Sequence, residues 1–191
     1  SAEDDLSRRM RSGSAGPTLR ELLTGIGVDP AAVSSGKHCV DFAKIAAFIE
    51  VHIEQSARLD NAVTDRVGVV TGIRGLIRHR TIQAIGETAH AGAVDFPYRK
   101  DAALACARFS SRLYDFWQHE LSLGRDLVAT TGVIRTSPSA SMNKIAGECI
   151  VSLDARSLSA AELNLFEKQV EAILQETAAE TGVIFKTEPL M

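Results

Sequence analysis

Around the stretch FIEVHIEQSARLD, Phe48 to Asp60, the residues from Ala47 to Gln55 alternate as in a strand, with Ile49, Val51 and Ile53 at every second position. As a strand, it turns Ile49, Val51 and Ile53 one way and Glu50, His52 and Glu54 the other. An imidazole flanked by carboxylates is what a metal ligand with an orienting partner requires, since neutral imidazole suits zinc-like ions. A solvated polar face on an edge strand produces the same pattern, and one His between two Glu arises readily by chance. Gln55 is then ordinary loop polarity. His90 stands in TAHAGA, among small residues at a strand end, where backbone or ligand can approach closely. A plain exposed loop histidine reads the same way. Asn143 can orient a polar substrate or make an Asx turn. Arg156 shares a strand face with Asp154, so it either grips a carboxylate at two points or forms a structural ion pair. His38, His79 and His119 have no organised surroundings and read as surface or packing residues.

The elements that must carry these residues follow from spacing. TLRE, from Thr18 to Glu21, is a capping box that starts a helix ended by Gly25 and Pro30. A helical turn follows Asp41, then the strand of His52, then a second apolar strand, VGVVTGI (67–73). LIRHRTIQAIGET (76–88) is a long strand, and GETAHAGAVDFPYRKD (86–101) a loop. Asp101 caps a helix to about His119 that buries Ala102, Cys106, Phe109, Leu113 and Phe116. LVATTGVIRT (127–136) and ECIVSLDARS (148–157) are strands. Ser159 and Glu162 open a helix to Thr181 buried through Leu163, Phe166, Val170, Ile173 and Leu174. Gly182 stops it before a last strand, VIFKTE. The expected fold class is α+β. Residues 75–191 form a split β-α-β-β-α-β (ferredoxin-like) domain with both helices on one face. Residues 1–74 hold too few strands for a sheet of their own.

Composition removes several function classes. The 191 residues are 45% apolar and 24% charged, the balance of an ordinary globular chain. A net charge of −3 gives no electrostatic case for nucleic acid or an anionic membrane, and the strands lack an RNP-type aromatic pair. No apolar run reaches the roughly 18 residues of a membrane helix, and no signal peptide opens the chain. Cys39, Cys106 and Cys149 are scattered, without a CxxC pair, so free thiols in a reducing cytoplasm are expected.

Taken in order, EVHIEQS, VGVVTGIRG, GETAHAG, RKDA, and Asn143 thirteen residues before Arg156 of SLDAR resemble one family. It is the hydantoinase/carbamoylase branch of the zinc-dependent aminoacylase and peptidase superfamily. That branch includes N-carbamoyl-L-amino-acid hydrolases, allantoate amidohydrolases and β-ureidopropionases. The match runs from about residue 47 to 188. The resemblance implies residues 1–74 as part of an α/β zinc-peptidase-like catalytic domain and 75–191 as a lid/dimerisation domain. It implies His52 as a metal ligand, Gln55 as a neighbour of the substrate, and His90 as the lid histidine at the scissile carbonyl, reaching into the partner subunit's site. Asn143 and Arg156 resemble the pair that holds the substrate carboxylate. Implied partners are a small carbamoyl or ureido substrate and a second copy of the chain. Implied cofactors are two divalent metal ions per site, zinc or manganese-like, of which this chain would hold an incomplete set.

The sequence departs from the family pattern at three places. Ser56 stands where HIEQG has glycine. GAVDFPYRKDA replaces a Thr-Thr-Pro-Met type stretch after the lid histidine. No His-x-Asp pair precedes His52, and SAEDD is a poor match to the catalytic Glu-Glu pair. The expected function is therefore a fragment of a metal-dependent amidohydrolase that cleaves a carbamoyl or ureido C–N bond. Two other readings stay open. One is an aminoacylase or dipeptidase of the same superfamily, which HIEQ disfavours; the other is a non-catalytic dimerisation or ligand-binding module.

Overall fold

The computed structural model describes residues 16–36, 40–64 and 66–188, in two compact units divided in the chain between Arg66 and Val67. In the first unit, α1 (Leu19–Gly25) starts at the expected capping box. Glu21 N–H donates to Thr18 Oγ1 at 3.2 Å, and Thr18 N–H donates to Glu21 Oε2 at 2.6 Å. Pro30 does not merely end that helix. It occupies the first turn of a second one, α2 (Pro30–Ser34), where its missing N–H costs nothing and the Asp29 carboxylate caps Ala31 N–H at 2.9 Å. Asp41 caps a 3-10 turn, Phe42–Lys44, as its position suggests.

The strand expected from Ala47 to Gln55 does not form, and neither does the strand at 67–73. The alternation is real, but a strand exists only when its main chain finds a ladder partner. Among the described residues neither segment has one. Phe48, Ile49, Val51 and Ile53 are exposed, as are Val67, Val69, Val70 and Ile73. These apolar side chains are left largely uncovered by the described residues. His38 and Cys39 lie outside the described residues.

The second unit contains β1 (Gly75–Ile85), β2 (Ala89–His90), α3 (Ala102–Ser122), β3 (Val128–Thr130), β4 (Ile134–Thr136), β5 (Lys144–Ile145), β6 (Glu148–Ser157), α4 (Ala160–Thr181) and β7 (Ile184–Thr187). The main sheet runs β3-β6-β1-β7, with β4 also on β6, and every pairing is antiparallel. The single strand expected at 127–136 is interrupted at 131–133, where Ser152 takes over. Its hydroxyl accepts the Val133 N–H, and its own N–H donates to the Val133 carbonyl.

Alternation along β6 sorts its residues as expected. Cys149, Val151, Leu153 and Ala155 are buried with the helices, while Ser152 and Asp154 are only half-buried and Arg156 is exposed. From β1 come Ile82 and Ala84, from α3 Ala102, Cys106, Phe109 and Leu113, and from α4 Phe166, Val170, Ile173 and Leu174. Phe116 packs at the margin of this core. Asp101 caps α3 through Ala103 and Leu104 N–H. The cap of α4 is a relayed box. Ser159 Oγ accepts Glu162 N–H, but the Glu162 carboxylate takes the buried Ser157 hydroxyl, which in turn accepts Ser159 N–H. Gly182, at φ +65°, ends the helix.

Candidate functional site

His52 and Gln55 lie in the first unit, both exposed. His52 Nδ1 donates to the Ile53 carbonyl at 2.6 Å, which leaves the lone pair on Nε2. That is the tautomer a metal ligand needs. Glu54 has a structural task. Its two carboxylate oxygens accept Arg58 N–H at 3.0 Å and Leu59 N–H at 2.8 Å, so it caps the turn after the HIEQS motif. Ser56 is tolerated in that turn because no described residue other than glycine has positive φ. The described residues contain no group of three potential metal ligands. His52 therefore fits as a single donor, and the described residues by themselves do not make a metal centre.

The other three expected residues are in the second unit. β2 and β5 carry the chain past the end of the β1/β6 ladder: Ile85 pairs with Glu148, Gly86 N–H donates to the Gly147 carbonyl, and then Ala89 pairs with Ile145 and His90 with Lys144. Two glycines make this junction. A Cβ on Gly86 would sit 1.9 Å from the Lys100 carbonyl oxygen, and one on Gly147 would sit 2.3 Å from Thr88 Oγ1. The extension brings His90 next to Asn143, because Ala91 N–H donates to the Asn143 carbonyl at 2.9 Å. The His90 ring turns back on its own loop. Gly92 N–H donates to Nδ1 at 3.1 Å, so the ring proton sits on Nε2. His90 is thus arranged as a hydrogen-bond donor and His52 as a lone-pair donor. The Asn143 carboxamide oxygen accepts the Ser141 hydroxyl at 2.8 Å, which leaves its NH2 group without a partner among the described residues.

Arg156 is elsewhere. It lies eight positions beyond Glu148 on β6, about 26 Å at the usual strand rise, and pairs with Leu76 and Val128. The two residues expected to share one carboxylate, Asn143 and Arg156, are therefore not side by side in one chain. The ion pair foreseen with Asp154 does form: Arg156 Nε donates to Oδ1 at 2.7 Å. Arg78, which the sequence did not single out, donates to Oδ2 of the same carboxylate at 2.5 Å. The Arg156 guanidinium, against the effect of partial burial and then with Arg78, holds Asp154 below the usual carboxylate range. Arg78 could have been found only from the β1/β6 register, which sets it opposite Asp154.

A cavity of about 690 Å3 lies beside the Phe96–Tyr98 turn, between the start of α3 and the end of α4; it includes none of His90, Asn143 or Arg156. Cys106 and Cys149 are free, buried thiols, and burial followed by the neighbouring Cys149 pushes the Cys106 thiol up. His79 is buried and His119 exposed, as packing and surface residues. No described helix is long and apolar enough to cross a membrane.

A scan against models of known protein families finds no match. Individual relatives are clear. An N-carbamoyl-L-amino-acid amidohydrolase of Paenarthrobacter aurescens is 30% identical over 168 residues, 88% of this chain and 39% of the relative. An allantoate amidohydrolase of Escherichia coli is 34% identical over 127 residues, 66% of this chain and 29% of the relative. Among solved structures, a hydantoinase/carbamoylase family amidase from Burkholderia ambifaria matches 98% of this chain and 44% of its own at a TM-score of 0.71 and 29% identity. The fold and these relatives class this chain with proteins named as amidohydrolases. It belongs to the hydantoinase/carbamoylase family, and it spans less than half the length of these relatives.

Proposed function

We propose that this chain supplies the lid and dimer-forming part, with a portion of the catalytic half, of a metal-dependent amidohydrolase. The bond cleaved is a carbamoyl or ureido C–N bond of an N-carbamoyl amino acid or an allantoate-like ureide. Residues 1–74 are read as part of the catalytic domain and 75–191 as the lid, a ferredoxin-like split β-α-β-β-α-β unit. The observation that carries the reading is the β2/β5 extension, which carries both His90, with its Nε2–H, and Asn143, whose amide NH2 has no partner among the described residues. Two neutral donors carried by one extension suit a polarised carbonyl, whose oxygen gains charge as water adds to its carbon. Arg156 suits the substrate carboxylate through its planar fork, with Gln55 close to the substrate in the first unit.

The separation of Arg156 from Asn143 favours a site shared between two copies. In a two-fold dimer, the tip of one lid meets the far end of the other's β6. His52 offers one ligand through Nε2 to a site of two divalent ions, completed by residues outside those described here. Such ions, when bound, supply an activated water. A cytoplasmic location keeps Cys106 and Cys149 reduced.

The test is ammonia release from N-carbamoyl amino acids and from allantoate, by a protein of the relatives' full length carrying these residues. Turnover that is lost with a chelator and regained with zinc or manganese is expected for at least one substrate class. The 191-residue chain alone should turn over neither, because one His cannot hold a catalytic metal pair. No turnover of any carbamoyl or ureido substrate by the longer protein would remove this reading in favour of a non-catalytic dimerisation module.

A further inference from the structure

The loop that carries His90 is held from inside by one side chain. Arg99 Nε donates to the Val94 carbonyl at 2.9 Å, and its Nη2 donates to the Ala91 carbonyl. Among the described residues this guanidinium meets no carboxylate. It is spent entirely on main-chain oxygens of the segment that follows His90. The base from which it reaches is fixed. The neighbouring Lys100 carbonyl accepts Glu87 N–H at 2.9 Å, and Ala102 N–H donates to the Ala146 carbonyl at 2.8 Å. The Ala91 peptide is the pivot: its N–H goes to Asn143 and its C=O to Arg99. One residue later, Gly92 N–H fixes His90 Nδ1, and Ala93 N–H closes the turn on the His90 carbonyl at 3.0 Å.

We infer that Arg99 is the positioning residue of the lid histidine. By clamping Ala91 and Val94 it presents Gly92 N–H to Nδ1, which keeps the proton of His90 on Nε2 and the ring turned onto its own loop. A guanidinium spans two carbonyls in a fixed fork; an ammonium is a point donor that satisfies one at a time. The role rests on the reading of His90 as the donor to the scissile carbonyl, so the experiment has one arm that needs no activity.

In that arm, amide hydrogen exchange is followed in the 191-residue chain and its R99K and R99Q variants. Exchange at Gly92 and Ala93 should speed up at least about tenfold in both variants, while the Val151 and Leu153 amides of β6 keep their protection. Unchanged exchange at Gly92 in the two variants would overturn the clamp, whatever the enzyme does. In the second arm, R99K in the longer protein should lower kcat about tenfold with little change in KM, and should add nothing further in an H90A background. Additive losses in H90A would overturn the assignment of Arg99 to His90 even if the exchange arm succeeds. Should R99Q fail to fold, R99K decides both arms.

Discussion

At the scale of single residues, Asp154 and Arg156 invite two measurements that pull apart structure and function. Asp154 is held below the usual carboxylate range in the folded chain, chiefly by Arg156. A carboxyl whose folded value is depressed contributes stability above its ordinary range, and that contribution disappears as the pH falls through the folded value. D154N should therefore lower Tm at pH 7 and narrow its gap to wild type in strong acid. A constant gap across that range would mean the pair adds nothing. The effect will be small, since both arginines are well exposed and solvent screens the pairs. Arg156 has a second expected role, at the substrate. R156K should lower kcat/KM by about tenfold, roughly 1.4 kcal/mol, and by less for an analogue whose carboxylate is an amide. Equal losses on acid and amide would leave Arg156 as a partner of Asp154 only. The types of these residues and their faces on β6 were legible from alternation. That Arg78 completes the trio was not, because it depends on which residue of a distant strand lies opposite.

At the scale of elements, legibility followed how much of each element is decided locally. Both long helices could be read from their caps and buried stripes, since Asp101 and Ser159 act on the first turn that follows them. Strand β6 was readable because one face is buried. The segment at 47–55 has the same alternation and 67–73 is an apolar run, yet neither forms a ladder, because pairing depends on a partner and not on the segment itself. The short β2/β5 extension was invisible for a related reason. It is created by close approach at two glycines, which sequence marks only as loop. G86A should therefore be costly, because its Cβ would fall 1.9 Å from the Lys100 carbonyl, a main-chain atom already bonded to Glu87. A loss of about 1–3 kcal/mol or more is expected in denaturant titrations of the 191-residue chain. G132A is the control, since its Cβ would meet only Ser152 Oγ, at 3.9 Å. Equal stability of the two variants would show that the junction yields freely and does not hold the His90 loop in place.

At the scale of the whole molecule, the proposed site turns on whether Arg156 and His90 would come from one copy or from two. Within one chain the two stand toward opposite ends of the long β1/β6 ladder, with β6 alone accounting for about 26 Å between them. In a closed two-fold dimer each site would draw His90 and Asn143 from one copy and Arg156 from the other. This arrangement has a consequence that no single-chain site can imitate. Full-length H90A and R156A proteins should each be nearly inactive as homodimers. Mixed, dissociated and reassociated in equal amounts, they should regain activity, because a heterodimer contains one site with both residues intact and one with neither. Random reassociation makes half the dimers mixed, and half the sites in those complete, so recovery should approach about a quarter of the wild-type rate. Each subunit's fold is unaltered by the mixing, so recovery cannot come from repair of stability. If His90 and Arg156 instead served the same chain's site, every site in the mixture would lack one of them, and the reassociated protein would stay as inactive as its parents.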